Sequence, residues 1–189
     1  MKVLGISGSL RSDSHNAKLL RVAAERFGDG AELEIWEGLK AVPPYDQDDD
    51  VDPAPAAVAA LRAAIAGADA VLFATPEYNS SVPGQLKNAL DWVSRPLATS
   101  PLRNKPVAVV GASTGAFGAV WSQAELRRIL GAIGARVVDA ELAVNFCGER
   151  FDQDGRLEDE ELTERLEEVV AALLAEVASR PQALVAQAA

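Results

Sequence analysis

The chain has 189 residues, with 18 basic against 28 acidic side chains and a formal net charge of −10. Its length suits one α/β domain with a sizeable core. The charge excludes nucleic acid and anionic membrane surfaces as expected partners, because both repel an acidic protein at long range. The single cysteine, Cys147, allows no intramolecular disulfide and reads as a small buried hydrophobe. With one histidine, His15, a hydrolytic triad or a usual zinc site lacks its parts, and His15 reads as a surface residue at a helix start. Met1 to Leu10 carries one basic residue before turning to Gly and Ser, unlike a signal peptide. The apolar stretch from Ala54 to Ala74 is broken by Arg62 and Asp69, so it does not read as a membrane span. The cytoplasm is the expected location.

In chain order, Lys2–Ser7 reads as a short buried strand. Leu20, Ala23, Ala24 and Phe27 mark one face of a helix. Glu32–Trp36 alternates apolar and charged residues, as a less buried strand does. After a Pro- and Asp-rich loop, Val58, Leu61 and Ile65 share a helical face, and Ala70–Ala74 is a third buried strand. A helix begins near Pro83-Gly84 with Leu86, Ala89, Leu90 and Val93 on one side. Pro106–Val110 is a fourth strand, and Leu126, Ile129, Leu130 and Ile133 mark the next helix. Arg136–Asn145 holds a fifth strand, and Leu162, Leu166, Val169, Val170, Leu173 and Val177 the longest helical stripe. Residues 1–180 read as one domain, with 181–189 a disordered tail, because a helix is not expected to run through Pro181. Alternating strands and helices predict an α/β fold: a doubly wound parallel five-stranded sheet of flavodoxin-like order 2-1-3-4-5, in three layers α/β/α.

Three loops follow strands one, three and four, so all three lie at the carboxyl edge of that sheet. The first, Gly8 to Asn16, offers the hydroxyls of Ser9, Ser12 and Ser14, the Asn16 amide and the Arg11 fork. With the N-terminus of the helix that follows, these suit a terminal phosphate. The same residues also read as an ordinary N-capping turn, and Asp13 must point away from any phosphate. The loop lacks both GxGxxG and GxxxxGK[ST]. The second, Thr75 to Gly84, has two prolines, a carboxylate and Tyr78, a wall suited to a planar heterocycle. The third, Gly111 to Gly118, has closely spaced glycines whose backbone N–H groups are free to approach a ligand. Each has a plain alternative as a connecting turn; their convergence at one crevice favours a binding site. The acidic runs Asp46–Asp52 and Asp152–Glu161 lack the spacing of a calcium loop and read as solvated loops.

Gly5-Ile6-Ser7-Gly8-Ser9-Leu10-Arg11, Pro76-Glu77-Tyr78-Asn79 and Pro83-Gly84-Gln85-Leu86-Lys87-Asn88-Ala89-Leu90-Asp91-Trp92 resemble the NADPH-dependent FMN reductase family, which includes flavin, quinone, chromate and azo-dye reductases. Pro43-Pro44-Tyr45-Asp46 and Phe151 to Gly155 are similar to its connecting loops. The resemblance implies FMN and NADPH (or NADH) as cofactors, with no metal and no protein acid–base residue, since the flavin carries the chemistry. It implies that Ser9, Arg11, Ser14 and Asn16 hold the FMN phosphate. Pro76, Glu77, Tyr78, Asn79 and Ser80 would border the ribityl chain and ring, and Ser113, Thr114, Gly115 and Gly118 would approach the ring's other edge. Thr114 stands where the family often has proline. The implied activity is ping-pong hydride transfer from NAD(P)H to quinones or similar small acceptors, chromate and azo compounds included. Supply of free reduced flavin and non-enzymatic electron carriage are the alternatives. A homodimer or homotetramer is implied, with Trp92 either an interface contact or a core residue.

Overall fold

The computed structural model describes residues 1–179; the predicted tail 181–189 lies outside them. In chain order the elements are β1 (Lys2–Ser7), α1 (His15–Ala24), β2 (Glu32–Trp36), α2 (Ala56–Ala66), β3 (Ala70–Thr75), α3 (Gly84–Val93), β4 (Pro106–Ala112), α4 (Val120–Ile133), β5 (Arg136–Val144) and α5 (Glu160–Ala178). The strands form one parallel sheet in the order β2-β1-β3-β4-β5, the expected flavodoxin-like arrangement.

Successive residues of a strand point to opposite faces, and the central strands show this directly. Val71 and Phe73 of β3 and Val107 and Val109 of β4 pack on one face with Val58, Leu61 and Ile65 of α2, Leu86 and Leu90 of α3, and Leu126 and Leu130 of α4. Leu72, Ala74, Ala108 and Val110 pack on the other with Leu19 and Leu20 of α1 and Leu166, Val169 and Leu173 of α5. Because both faces are covered, β3 and β4 are buried along their whole length, which is why they read as continuous apolar runs. Each fully buried Leu or Phe here contributes about 1.5–3 kcal/mol of apolar transfer free energy. The edge strand β2 remains half-exposed.

Several boundaries differ from expectation: β3 runs one residue further, to Thr75, and β5 ends at Val144. Helix α1 ends at Ala24, and Phe27 packs on the same apolar cluster from beyond the helix. Strand β4 runs on through Gly111 and Ala112, because β5 supplies Ala143 and Val144 as ladder partners, so the third loop opens at Ser113. Trp92 is fully buried, and its Nε1 donates to the Pro43 carbonyl at 2.9 Å, which makes it a core residue. Among the described residues no helix is long and apolar enough to cross a membrane.

Candidate active site at the carboxyl edge of the sheet

The first loop leaves β1 at Gly8, whose N–H donates to the Ala74 carbonyl at 2.8 Å. A Cβ at Gly8 would lie 2.9 Å from Leu86 Cδ2 and 3.3 Å from Pro76 Cδ, so the absent side chain is what lets this loop touch the second. Beyond it, Ser9 Oγ accepts from the Arg11 N–H at 3.4 Å. Ser14 caps α1, its Oγ accepting from the Ala17 N–H at 3.3 Å. The N–H groups of His15 and Asn16, in the first turn, have no acceptor among the described residues, the normal state of a helix start and one suited to an anion. Asp13 is turned away to Lys18, at 2.6 Å. Arg11 is exposed and makes no ion pair among the described residues.

Asn16 is 2% exposed and joins this loop to β4. Its Nδ2 donates to the Ala112 carbonyl at 2.9 Å, and its Oδ1 accepts from the Ala112 N–H at 3.0 Å.

The second loop makes a tight turn in which Tyr78 and Ser81 exchange backbone hydrogen bonds at 3.2 and 3.1 Å. Asn79 and Ser80 between them both have positive φ, 53° and 58°, as such a two-residue turn requires. The loop is fastened to α4 in both directions. Glu77 Oε2 accepts from the N–H groups of Trp121 and Ser122, each at 3.1 Å, and so caps a helix that has no side-chain cap of its own. In return, Glu125 Oε2 accepts from Ser81 Oγ at 2.6 Å and from the Val82 N–H at 3.4 Å. The Ser81 hydroxyl, then the Val82 N–H, hold the Glu125 carboxyl below its usual range. A buried hydrogen bond of 2.9 Å between Thr75 and Ser122 adds a third tie.

In the third loop the Ser113 N–H donates to Val144 O at 3.0 Å, the Gly115 N–H to Ser113 Oγ at 3.2 Å, and the Cys147 N–H back to Ser113 O at 3.1 Å. Gly118, at φ +58°, packs so closely on β5 that a Cβ would lie 2.7 Å from the Ala143 carbonyl carbon.

These loops enclose a cleft of about 110 Å³. Of the residues singled out in the sequence, Ser9, Arg11, Ser14 and Asn16 line it from the first loop, Pro76, Glu77 and Tyr78 from the second, and Ser113 and Thr114 from the third. Asn79, Ser80, Gly115 and Gly118 are not on its wall; they shape the turns that carry the wall residues. The wall also includes Ala112, His15 and Cys147. His15 is half-buried rather than a surface residue, its ring 5.6 Å from that of Phe151 and its Nδ1 buried without a hydrogen-bond partner among the described residues. Its place between Ser14 and Asn16 was the available signal. Cys147 comes from the turn after β5, a fourth loop at the same sheet edge. Burial, with Lys18 nearby, holds the His15 pKa below its ordinary value, and burial raises that of the Cys147 thiol. Both shifts favour the neutral form of the side chain.

The donor set fits a phosphate dianion: an exposed guanidinium with no ion pair, two hydroxyls and two open helix-start N–H groups. Glu77, the one carboxylate on the wall, is already engaged by the α4 N–H groups. On the wall Tyr78 is 49% exposed, while at and just before the start of α4 Phe117 and Trp121 are 61% and 47% exposed, their rings packed edge to face at 4.9 Å. Fold and cleft together define a flavodoxin-like α/β protein with an anion-suited cleft at the switch point between β1 and β3.

Comparison with known proteins narrows the class. The family described as NADPH-dependent FMN reductase matches residues 1–149. An NAD(P)H-dependent FMN reductase of Pseudomonas aeruginosa is 41% identical over 174 residues, spanning 92% of this chain and 93% of that protein. An NAD(P)H:quinone oxidoreductase of Solanum tuberosum is 40% identical over 182 residues, spanning 93% and 92%. The solved structure of FerB, a flavoenzyme NAD(P)H:(acceptor) oxidoreductase from Paracoccus denitrificans, superposes with a TM-score of 0.85 at 35% identity, covering 94% of this chain and 97% of that one. The chain belongs to the NADPH-dependent FMN reductase family. It is an oxidoreductase that uses FMN and NAD(P)H, which sets aside non-enzymatic electron carriage.

Proposed function

We propose that this enzyme passes electrons from NAD(P)H to quinones or similar small planar acceptors in two alternating half-reactions at one open cleft. FMN, when bound, supplies the hydride-accepting ring. The chain's own residues bind, orient and expose it. Arg11, the hydroxyls of Ser9 and Ser14 and the N–H groups of His15 and Asn16 hold the phosphate. Ser14 caps α1 as an acceptor and keeps its O–H to donate. Pro76, Glu77 and Tyr78 border the ribityl chain and one side of the ring, and Ser113 and Thr114 the other.

What carries the proposal is the convergence of three separate loops on one cleft whose donors suit an anion, in a protein of the opposite overall charge. The exposed ring of Tyr78 on the wall supports a planar acceptor, because such a ring offers an apolar face for stacking. Chromate and azo compounds remain within the same proposal as acceptors that need only an accessible reduced ring.

The test is an absorbance spectrum of the purified protein, then NADPH or NADH oxidation with a benzoquinone acceptor. Flavin absorbance, quinone-dependent oxidation and parallel lines in double-reciprocal plots are expected. Intersecting lines would overturn the two-step scheme, and failure to bind FMN the whole proposal.

A further inference from the structure

On the β2 side of the phosphate loop lies a second cleft, of about 250 Å³, which the function above does not use. It shares Ser9 and Arg11 with the first cleft and is lined further by Arg21, Lys40, Trp36 and Glu37. Three cations against one carboxylate reverse the sign of a chain whose net charge is −10.

The cations are also unengaged. Most basic side chains of this protein are in ion pairs, from Lys2 with Glu34 to Arg165 with Glu161. Among the described residues Arg11, Arg21 and Lys40 make none, and they meet at this one place, while Arg95 and Arg103 stand elsewhere. Trp36 is half-buried against the core. Its indole lies over Gly38, where a Cβ would come 2.4 Å from the ring, so the aromatic surface is held in place by close packing. A fixed indole beside the uncommitted cations Arg21 and Lys40, with Arg11 shared with the first cleft, is the donor set for a base carrying a phosphate: the ring stacks, and guanidinium and ammonium groups bond the ester oxygens.

We infer that this cleft takes an adenosine phosphate, presented during turnover as the adenosine 2′-phosphate end of NADPH. Because Ser9 and Arg11 belong to both clefts, the assignment rests on the first cleft holding FMN; a nicotinamide dinucleotide then has its reactive ring at the flavin and its adenosine end across the phosphate loop. The adenylate half of FAD has the same chemistry and would reach the cleft from the flavin phosphate.

The test uses the wild-type enzyme and an Arg21→Ala/Lys40→Ala double variant, both sites being exposed. Adenosine 2′,5′-bisphosphate is titrated into the FMN-loaded proteins by calorimetry, with KM for NADPH and NADH and Kd for FMN and FAD measured alongside. The variant is expected to bind the bisphosphate at least about tenfold more weakly, as the loss of charge-assisted hydrogen bonds implies. Its KM for NADPH should rise by a similar factor, with kcat, KM for NADH and Kd for FMN unchanged. A loss confined to FAD would support the adenosine-phosphate site and assign its source to the flavin dinucleotide. Equal bisphosphate binding by both proteins, with neither the NADPH/NADH nor the FAD/FMN ratio altered, would overturn the inference while leaving the FMN site intact. Wild-type protein that fails to bind FMN would instead overturn the assignment of the first cleft.

Discussion

The Asn16 side-chain amide pairs with both backbone groups of Ala112, donating to its carbonyl at 2.9 Å and accepting from its N–H at 3.0 Å. The start of α1 and the end of β4, 96 residues apart in sequence, are thereby held in fixed register beneath the cleft. Asn16→Ala should destabilise the fold by about 2–3 kcal/mol, because two buried backbone groups lose their partner. Urea denaturation measures this, and FMN affinity should fall with it as the first and third loops separate. An unchanged midpoint would show that the tie is replaceable.

Arg11 is the one cation common to both clefts. Arg11→Ala should weaken FMN binding by about 1.5–3 kcal/mol, the range for a hydrogen bond to a charged group. Riboflavin, which lacks the phosphate, should bind wild-type protein much more weakly than FMN and should be insensitive to the substitution. Calorimetric titration of both ligands into both proteins separates these outcomes, and an FMN affinity indifferent to Arg11 would exclude its phosphate role.

Glu77 acts as a cap for a helix that belongs to another part of the chain. Glu77→Ala should cost about 0.5–2 kcal/mol, as loss of an N-cap does, and should loosen the loop bearing Tyr78. Glu77→Gln retains an acceptor oxygen and should recover part of the stability. Thermal melts of the two variants test the order wild type, Gln, Ala; equal melting of Gln and Ala would indicate that the carboxylate charge at the helix end, rather than the hydrogen bonds, does the work.

His15 is the only histidine, so its ring gives a single set of imidazole resonances. Burial favours the neutral form, placing its pKa in the folded protein below the ordinary 6.5. The stabilising contribution of neutral His15 is complete above 6.5 and declines as pH falls toward the folded-state pKa, because the unfolded chain binds the proton more readily. A phosphate dianion in the cleft acts in the opposite direction, so FMN should raise the pKa that NMR titration reports. A pKa unmoved by FMN would place the phosphate elsewhere.

The sequence by itself determined the order and type of the elements, because a parallel sheet covered on both faces demands uninterrupted apolar strands. β1 and β2 were legible to the residue, since their apolar patterns stop where Gly8 and Glu37 begin loops. The strand order then placed three loops at one edge, and Ser9, Arg11, Pro76 and Tyr78 were readable as wall residues from that topology alone. Only the tertiary structure decided what the individual polar groups do. Asn16 and Glu77 look like ligand-contacting residues in sequence, yet their side-chain partners are Ala112 and the start of α4, reached across long stretches of chain. Gly118 serves close packing on Ala143, and β4 extends to Ala112 because β5 lies alongside. Apolar periodicity is a local consequence of burial and survives in one dimension. A hydrogen bond between distant residues depends on where two backbones meet, and the linear pattern does not encode that meeting.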